Sequence, residues 1–289
     1  MKLFPIQKIH PIILNPKQFQ DRFGQSNAYL DMNPSLHIDA SGSATVLVRR
    51  VNYRKFPDRR FTIYEHQANS EYAILRGQIT DPFCTFTQEQ LVLDTPLDRY
   101  PTYWKGLEDI RFVNAHSVLA TIPECNPGGQ PSLFLGTLTG ERLVDLVPCM
   151  PNKVEKNWMP FADGQVIYSV SPLRIKSLIG ATFSERSLSA RAADHLKNYH
   201  GSTNGIRWLN GWLFLIHTTC GAIVCHRWFW LGSESIAWSE EFVFFGGSYI
   251  EFPCSLCEYN GTLFVSLGVN DDKAFVLELS KNEVHILLV

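Results

Sequence analysis

Short apolar runs broken by turn residues recur along nearly the whole chain, and helical periodicity is almost absent. The run Ala44-Thr45-Val46-Leu47-Val48-Arg49-Arg50-Val51-Asn52-Tyr53 is the first firm strand, entered through the turn residues Ser41-Gly42-Ser43. Further strands are predicted over 60–64, 71–77, 107–113, 119–122, 132–138, 165–170, 211–218, 263–268 and 274–279. Asn260-Gly261 between two apolar runs is a hairpin signal, because both residue types tolerate positive φ. The interval 184–200 is the least strand-like, and Ala190–Leu196 within it reads as a short helix or a polar loop.

A polar opening followed by several strands repeats at a spacing of about 50 residues, which points to a propeller rather than a sandwich. The expectation is an all-β fold, a five-bladed β-propeller, with 1–289 forming one domain and residues 1–30 as an N-terminal wrapping segment.

Composition narrows the function classes. Of 289 residues, 45% are hydrophobic and 19% charged, an ordinary globular balance with a lightly charged surface. A formal net charge of −2 gives no electrostatic reason to expect nucleic acid, whose binding normally needs a basic patch. Lys8, His10 and Pro11 interrupt the N-terminal apolar positions, so no signal peptide is predicted. No apolar run approaches the roughly 20 residues that span a bilayer, and no membrane partner is expected. Seven cysteines, an odd number, cannot all pair within the chain, and a reducing, cytoplasmic location is the simpler reading. Cys254 and Cys257 form a lone CxxC pair, better read as core cysteines on a strand than as a zinc site. No metal and no bound cofactor are expected, and the sequence specifies no oligomeric state.

In a propeller, polar segments at one end of each blade converge although they lie far apart in the chain. Glu155, Lys156 and Asn157 sit beside Trp158 and Pro160, a mixture suited to a polar site with aromatic walls. Asp109, between Glu108 and Arg111, is a carboxylate placed to share or transfer a proton; a salt-bridged turn is the plainer alternative. Arg49 and Asn52 add donors from the first strand, and alternation allows only one of Arg49 and Arg50 to face the channel. His217 ends an apolar strand, Glu251 precedes Phe252-Pro253, and Asp271 follows a strand in a tight turn. The plainer readings of His217 and Asp271 are a core histidine and a turn cap, while Glu251 is placed to line the rim of the same pocket. Trp104, Trp158, Tyr103 and Tyr168 are candidates for stacking on a sugar ring.

Several of these motifs resemble a known family, the five-bladed propellers of the β-mannoside phosphorylase type with their mannosyltransferase-like and glycosidase-like relatives. Asn33-Pro34-Ser35 with Val48–Tyr53 resembles the first-blade signature, and Glu108-Asp109-Ile110-Arg111 resembles the Glu-Asp-Pro-Arg motif, with Ile110 in place of proline. Glu155–Pro160 resembles the lysine-bearing third-blade motif, His217 the fourth-blade histidine, and Gly268–Asp271 the closing turn. The resemblance implies an inverting attack at a mannosyl-like anomeric carbon, with Asp109 as the sole general acid and inorganic phosphate as nucleophile and co-substrate. It implies that Arg111, Lys156 and His217 are anion or sugar ligands, that Asp271 holds glycosyl hydroxyls, and that the partner is an oligosaccharide or sugar phosphate. Two alternatives stand beside it. A hydrolase on the same scaffold would need a second carboxylate, Glu155 or Glu251, to activate water. A non-catalytic glycan-binding propeller would keep the aromatic walls and show Asp109 in a salt bridge.

Overall fold

In the computed structural model the described residues are 2–56, 58, 60–80, 83–94, 99–151, 153–162, 164–178 and 183–285, with the backbone of 287–288. Antiparallel meanders, each running outward from an inner strand, make up the fold. The first blade is Leu30–Ile38, Ser43–Val51, Ala68–Gln78 and Thr87–Gln90, with the hairpin Tyr53–Lys55/Phe61–Ile63 inserted between its second and third strands. The second is Glu108–Phe112, Ser117–Thr121, Leu133–Thr139 and Arg142–Pro148. The third is Met159–Phe161, Gln165–Ser169, Leu173–Ser177 and Phe183–Arg186. The fourth runs from His200–Gly201 and Ile206–Trp208 through Gly211–Cys220 and Ile223–Leu231 to Ile236–Trp238 and Phe242–Val243.

The expected five-bladed count is corrected here. Complete blades cut from consecutive strands number four among the described residues, not five. The remaining sheet is a composite: a three-stranded C-terminal meander, Glu251–Tyr259, Thr262–Val269 and Lys273–Ser280, whose outer strand pairs with N-terminal Lys8–Pro11. A repeat spacing read along the chain assumes that each unit is contiguous, and it does not reveal a sheet joined from both ends. Residues near the N-terminus thus pair as strands, with Lys2–Leu3 also parallel to Phe242–Val243.

Apolar clusters fill the space between successive sheets. Leu47, Tyr72 and Ile74 of the first blade pack on Ile110, Phe112 and Val118 of the second. Met159 and Ile167 of the third meet Phe214, Ile216 and Phe229 of the fourth. Leu213 and Trp228 pack on Leu256, Val265 and Leu277 of the composite sheet, which itself meets the first blade through Phe264, Val276, Val46 and Val48. Central strands covered on both faces explain why their sequences read as continuous apolar runs rather than as alternation.

Local readings fare well where chemistry is local. Asn260 (φ 47°) and Gly261 (φ 82°) form the two-residue turn between Glu251–Tyr259 and Thr262–Val269. Ala190–Leu196 is a helix, capped by Ser189, whose hydroxyl accepts from the Ala192 amide at 3.2 Å. Cys254 and Cys257 are buried and unpaired on a strand, whereas Cys220 and Cys225 form a disulfide across the fourth-blade hairpin, which the odd cysteine count does not anticipate. Among the described residues no helix is long and apolar enough to cross a membrane.

Candidate functional site

A cavity of about 690 Å³ opens where the inner strands of the first and second blades meet the composite sheet. Asn33 and Asp109 take part in its floor, and both have φ 44°, a left-handed conformation that costs energy in a residue with a β-carbon. Each sits where its strand's register shifts, between Met32 and Ser35 and between Glu108 and Arg111. Such bulges re-aim side chains out of the normal alternation. That is how two inner strands turn an asparagine and an aspartate toward one point.

Asp109 Oδ1 accepts from Asn33 Nδ2 and from Arg49 Nη1, each at 3.1 Å. Arg49 is the hub. Its Nε donates to Ser70 Oγ at 2.8 Å, and its Nη2 donates to Glu108 Oε1 at 2.8 Å and to the Tyr53 hydroxyl at 3.0 Å. Burial works against the Arg49 charge, but Tyr53, Glu108 and Asp109 around it hold the guanidinium firmly protonated. Burial likewise pushes the Asp109 carboxyl up, yet the positive charges of Arg49 and Arg111 outweigh it, and the net shift is downward. Glu108 goes the other way. Its burial, with the Asp109 charge beside it, leaves its carboxyl above the usual range despite Arg49.

Lys156 reaches the cavity from an exposed position, and His217 lines the wall opposite the first blade. Ser202 Oγ lies 2.7 Å from His217 Nδ1. Burial, and then the neighbouring His226, His200, Arg111 and Lys156, push the His217 imidazole well below its ordinary value, so the ring is neutral. Asp271, in a turn with positive φ at both Asn270 and Asp271, pairs with Lys55 at 3.3 Å across the cavity mouth. Tyr53, Phe61 and Trp104 form a cluster on one side, with centroids 5.2–6.0 Å apart and Trp104 edge-to-face with each of the other two, and all three line the cavity.

The structure thus brings together Arg49, Glu108, Asp109, Lys156, His217 and Asp271, and places five other expected residues elsewhere. Asn52 is buried and structural: its amide donates to Glu65 Oε2 and to the Gln67 carbonyl, and its oxygen accepts from the Asn69 amide at 2.7 Å. Arg111 lies behind the floor, donating to the Ser202 carbonyl at 2.5 Å and packing over Phe252, so it reaches Asp109 through its field rather than a ligand through contact. Asn157 faces Arg111, with Oδ1 3.5 Å from Nη2. Glu251 is 1% exposed and accepts from the amides of Phe244 and Phe245 and from Ser248, beside His226 at 3.3 Å. Glu155 accepts from Trp158 Nε1 and the Tyr168 hydroxyl, each at 3.0 Å, and is also absent from the cavity lining. Of the four expected stacking residues only Trp104 lines the cavity; Trp158 is core.

Sequence reasoning read the strand at 60–64, which the structure has as Phe61–Ile63, but missed Lys55 as a cavity residue. Lys55 stands two residues after Tyr53 on the same side of a short strand, and that alternation was the available signal.

No protein-family model and no curated protein matches the chain. Solved structures do share the fold. A glycosyl hydrolase from Bacteroides ovatus superposes with a TM-score of 0.62 at 13% identity, covering 97% of this chain and 94% of its own. The β-1,2-mannobiose phosphorylase of Listeria innocua, solved with β-1,2-mannobiose, gives 0.60 at 12%, covering 96% and 98%. A structure from work on glycoside hydrolases within the GH130 family of mannoside phosphorylases, which target β-1,2 mannosidic linkages in Candida mannan, gives 0.62 at 11%, covering 98% and 96%. At these identities the likeness establishes a common propeller scaffold spanning nearly the whole chain.

Proposed function

We propose that the chain is a carbohydrate-active enzyme that transfers a β-mannoside-like glycosyl group to inorganic phosphate with inversion, Asp109 being the general acid. The observation that carries the reading is the convergence of Asp109, Glu108, Asp271, Arg49, Lys156 and His217 on one cavity. The mannoside-acting propellers that share the scaffold supply the substrate class.

In this scheme Asp271 and Asn33 hold hydroxyls of the glycosyl ring, and Asp109 passes its proton to the glycosidic oxygen, directly or through a ring hydroxyl. A phosphate oxygen attacks the anomeric carbon from the opposite face. The glycosidic C–O bond breaks as the new one forms, leaving an α-glycosyl phosphate and a free acceptor. Lys156 supplies charge to the phosphate, and neutral His217 supplies a hydrogen bond. Arg49 is committed to Glu108 and Asp109 and orients the acid. Arrival of the phosphate dianion offsets the positive field that holds Asp109 ionised, so the acid takes up its proton with the anion in place. Hydrolysis by way of Glu155 or Glu251 is disfavoured, since neither carboxylate faces the cavity.

One observation favours a second reading. Asp109 is ion-paired with Arg49 at 3.1 Å, as a glycan-binding propeller without catalysis would have it. The deciding experiment incubates the protein with β-1,2-mannobiose and phosphate and follows mannose 1-phosphate by phosphorus NMR. Turnover to the α-anomer, lowered about 10²–10⁴-fold in Asp109→Asn, is the expected result. Sugar binding without turnover in the wild type would establish the binding module instead.

A further inference from the structure

The fourth-blade hairpin carries different chemistry on its two faces. Gly211–Cys220 and Ile223–Leu231 pair through Cys220↔Ile223, Thr219↔Val224, Thr218↔Cys225 and His217↔His226, with Gly221 (φ 66°) and Ala222 as the turn. Strand alternation puts His217, Thr219, Val224 and His226 on one face, and Thr218, Cys220, Ile223 and Cys225 on the other. His217, Thr219, Ala222 and Val224 line the cavity. The two cysteines therefore sit on the back of a wall of the candidate active site.

Behind them stands Glu241. Its Oε1 accepts from the Tyr199 hydroxyl at 2.6 Å and from Arg227 Nη2 at 3.2 Å. This leaves Oε2 turned toward Cys220, whose Sγ lies 3.8 Å away. The two sulfurs and the Glu241 carboxylate lie within 4.8 Å of one another. One ion with metal–sulfur bonds of about 2.3 Å and a metal–oxygen bond of about 2.0–2.2 Å reaches all three with small side-chain rotations.

We propose that Cys220, Cys225 and Glu241, once the disulfide is reduced, form a binding site for a thiophilic divalent cation such as Zn²⁺. Thiolates select soft or borderline ions over Mg²⁺ and Ca²⁺. Two sulfurs and one oxygen leave a fourth tetrahedral position for water. A dithiol reductant opens the S–S bond, becoming a disulfide itself while the protein gains two thiols. Metal binding then forms two S–metal bonds and one O–metal bond and releases two thiol protons to solvent. Disulfide and metal are alternative cross-links at one place, and each ties the hairpin tip that walls the cavity.

The test titrates Co²⁺, a spectroscopic probe for Zn²⁺, into reduced and into oxidised full-length protein. Expected is about one equivalent bound by the reduced form, with thiolate-to-cobalt absorption in the near ultraviolet and none in the oxidised form. Glu241→Gln lowers the affinity at least about tenfold, and Cys225→Ser abolishes the band. Thermal melts give a second readout: the metal raises the melting temperature of the reduced wild type and not that of reduced Glu241→Gln at the same concentration. Absence of the band in reduced wild type, or its survival in Cys225→Ser, overturns the proposal. None of these readouts depends on turnover, so they stand apart from the catalytic reading.

Discussion

Arg49→Met tests the floor of the site most directly. Arg49 is 5% exposed, and its guanidinium makes four hydrogen bonds, to Ser70, Tyr53, Glu108 and Asp109. Taken singly, at about 1.5–3 kcal/mol for bonds to a charged group, they total more than roughly 6 kcal/mol. The two carboxyls left behind relax by taking up protons and through water entering the cavity, which brings the expected loss to about 3–5 kcal/mol, the usual cost of removing one partner of a buried pair. At this chain length that is a fall in melting temperature of roughly 5–8 °C. The pH dependence carries the sharper signature. In the wild type the folded Asp109 carboxyl lies below its unfolded value, so its contribution is present above that unfolded value and is lost as pH falls through the folded one. Without Arg49, burial becomes the dominant influence and lifts Asp109 above its unfolded value. The destabilisation then grows as pH rises through the new folded value. Urea melts of wild type and Arg49→Met at pH 5 and pH 8 should differ more at pH 8, and adding Asp109→Asn to the variant should restore part of the loss. A loss under about 1 kcal/mol at pH 8, or one equal at both pH values, would refute the account of Arg49 as the counter-charge that holds Asp109 ionised.

Two further outcomes follow from the geometry. His217, pushed well below its ordinary value, should stay neutral from pH 8 down through pH 6, so its ring NMR shifts should not titrate there; because the unfolded ring protonates near its ordinary value of 6.5, this residue lowers stability as pH falls below that value. A midpoint near 6.5 in the folded protein would contradict the buried, cation-flanked placement. Gly106 has φ 86°, and an added β-carbon would meet the Ser70 carbonyl oxygen at 1.8 Å, so Gly106→Ala should cost about 2–3 kcal/mol or more by thermal melt. A near-neutral substitution would show that this contact is not tight.

The apolar runs and the Asn260-Gly261 turn made the all-β character legible, because strand and turn preferences act over a few residues. The motif residues Asp109, Lys156, His217 and Asp271 were legible as candidates because charged or titratable groups beside apolar strands stand out. Arg111, Asn157 and Glu251 look the same in sequence and yet lie outside the cavity. Whether a polar side chain faces a ligand or a neighbouring carbonyl depends on which way a strand turns. The bulges at Asn33 and Asp109 break simple alternation, and no local pattern announced them.

Strands, turns, a lightly charged surface and a set of polar positions are thus written into the order of residues, all consequences of short-range preference and hydrophobic patterning. The count of contiguous blades, the joining of Lys8–Pro11 to the C-terminal meander, the pairing of Cys220 with Cys225 and the role of Arg49 as hub emerge from long-range packing. Each of these depends on which distant segments share a sheet edge or a buried pocket. Desolvation then makes the charges answer to partners far away in the chain: Arg49 and Asp109 are 60 residues apart and 3.1 Å from contact to contact.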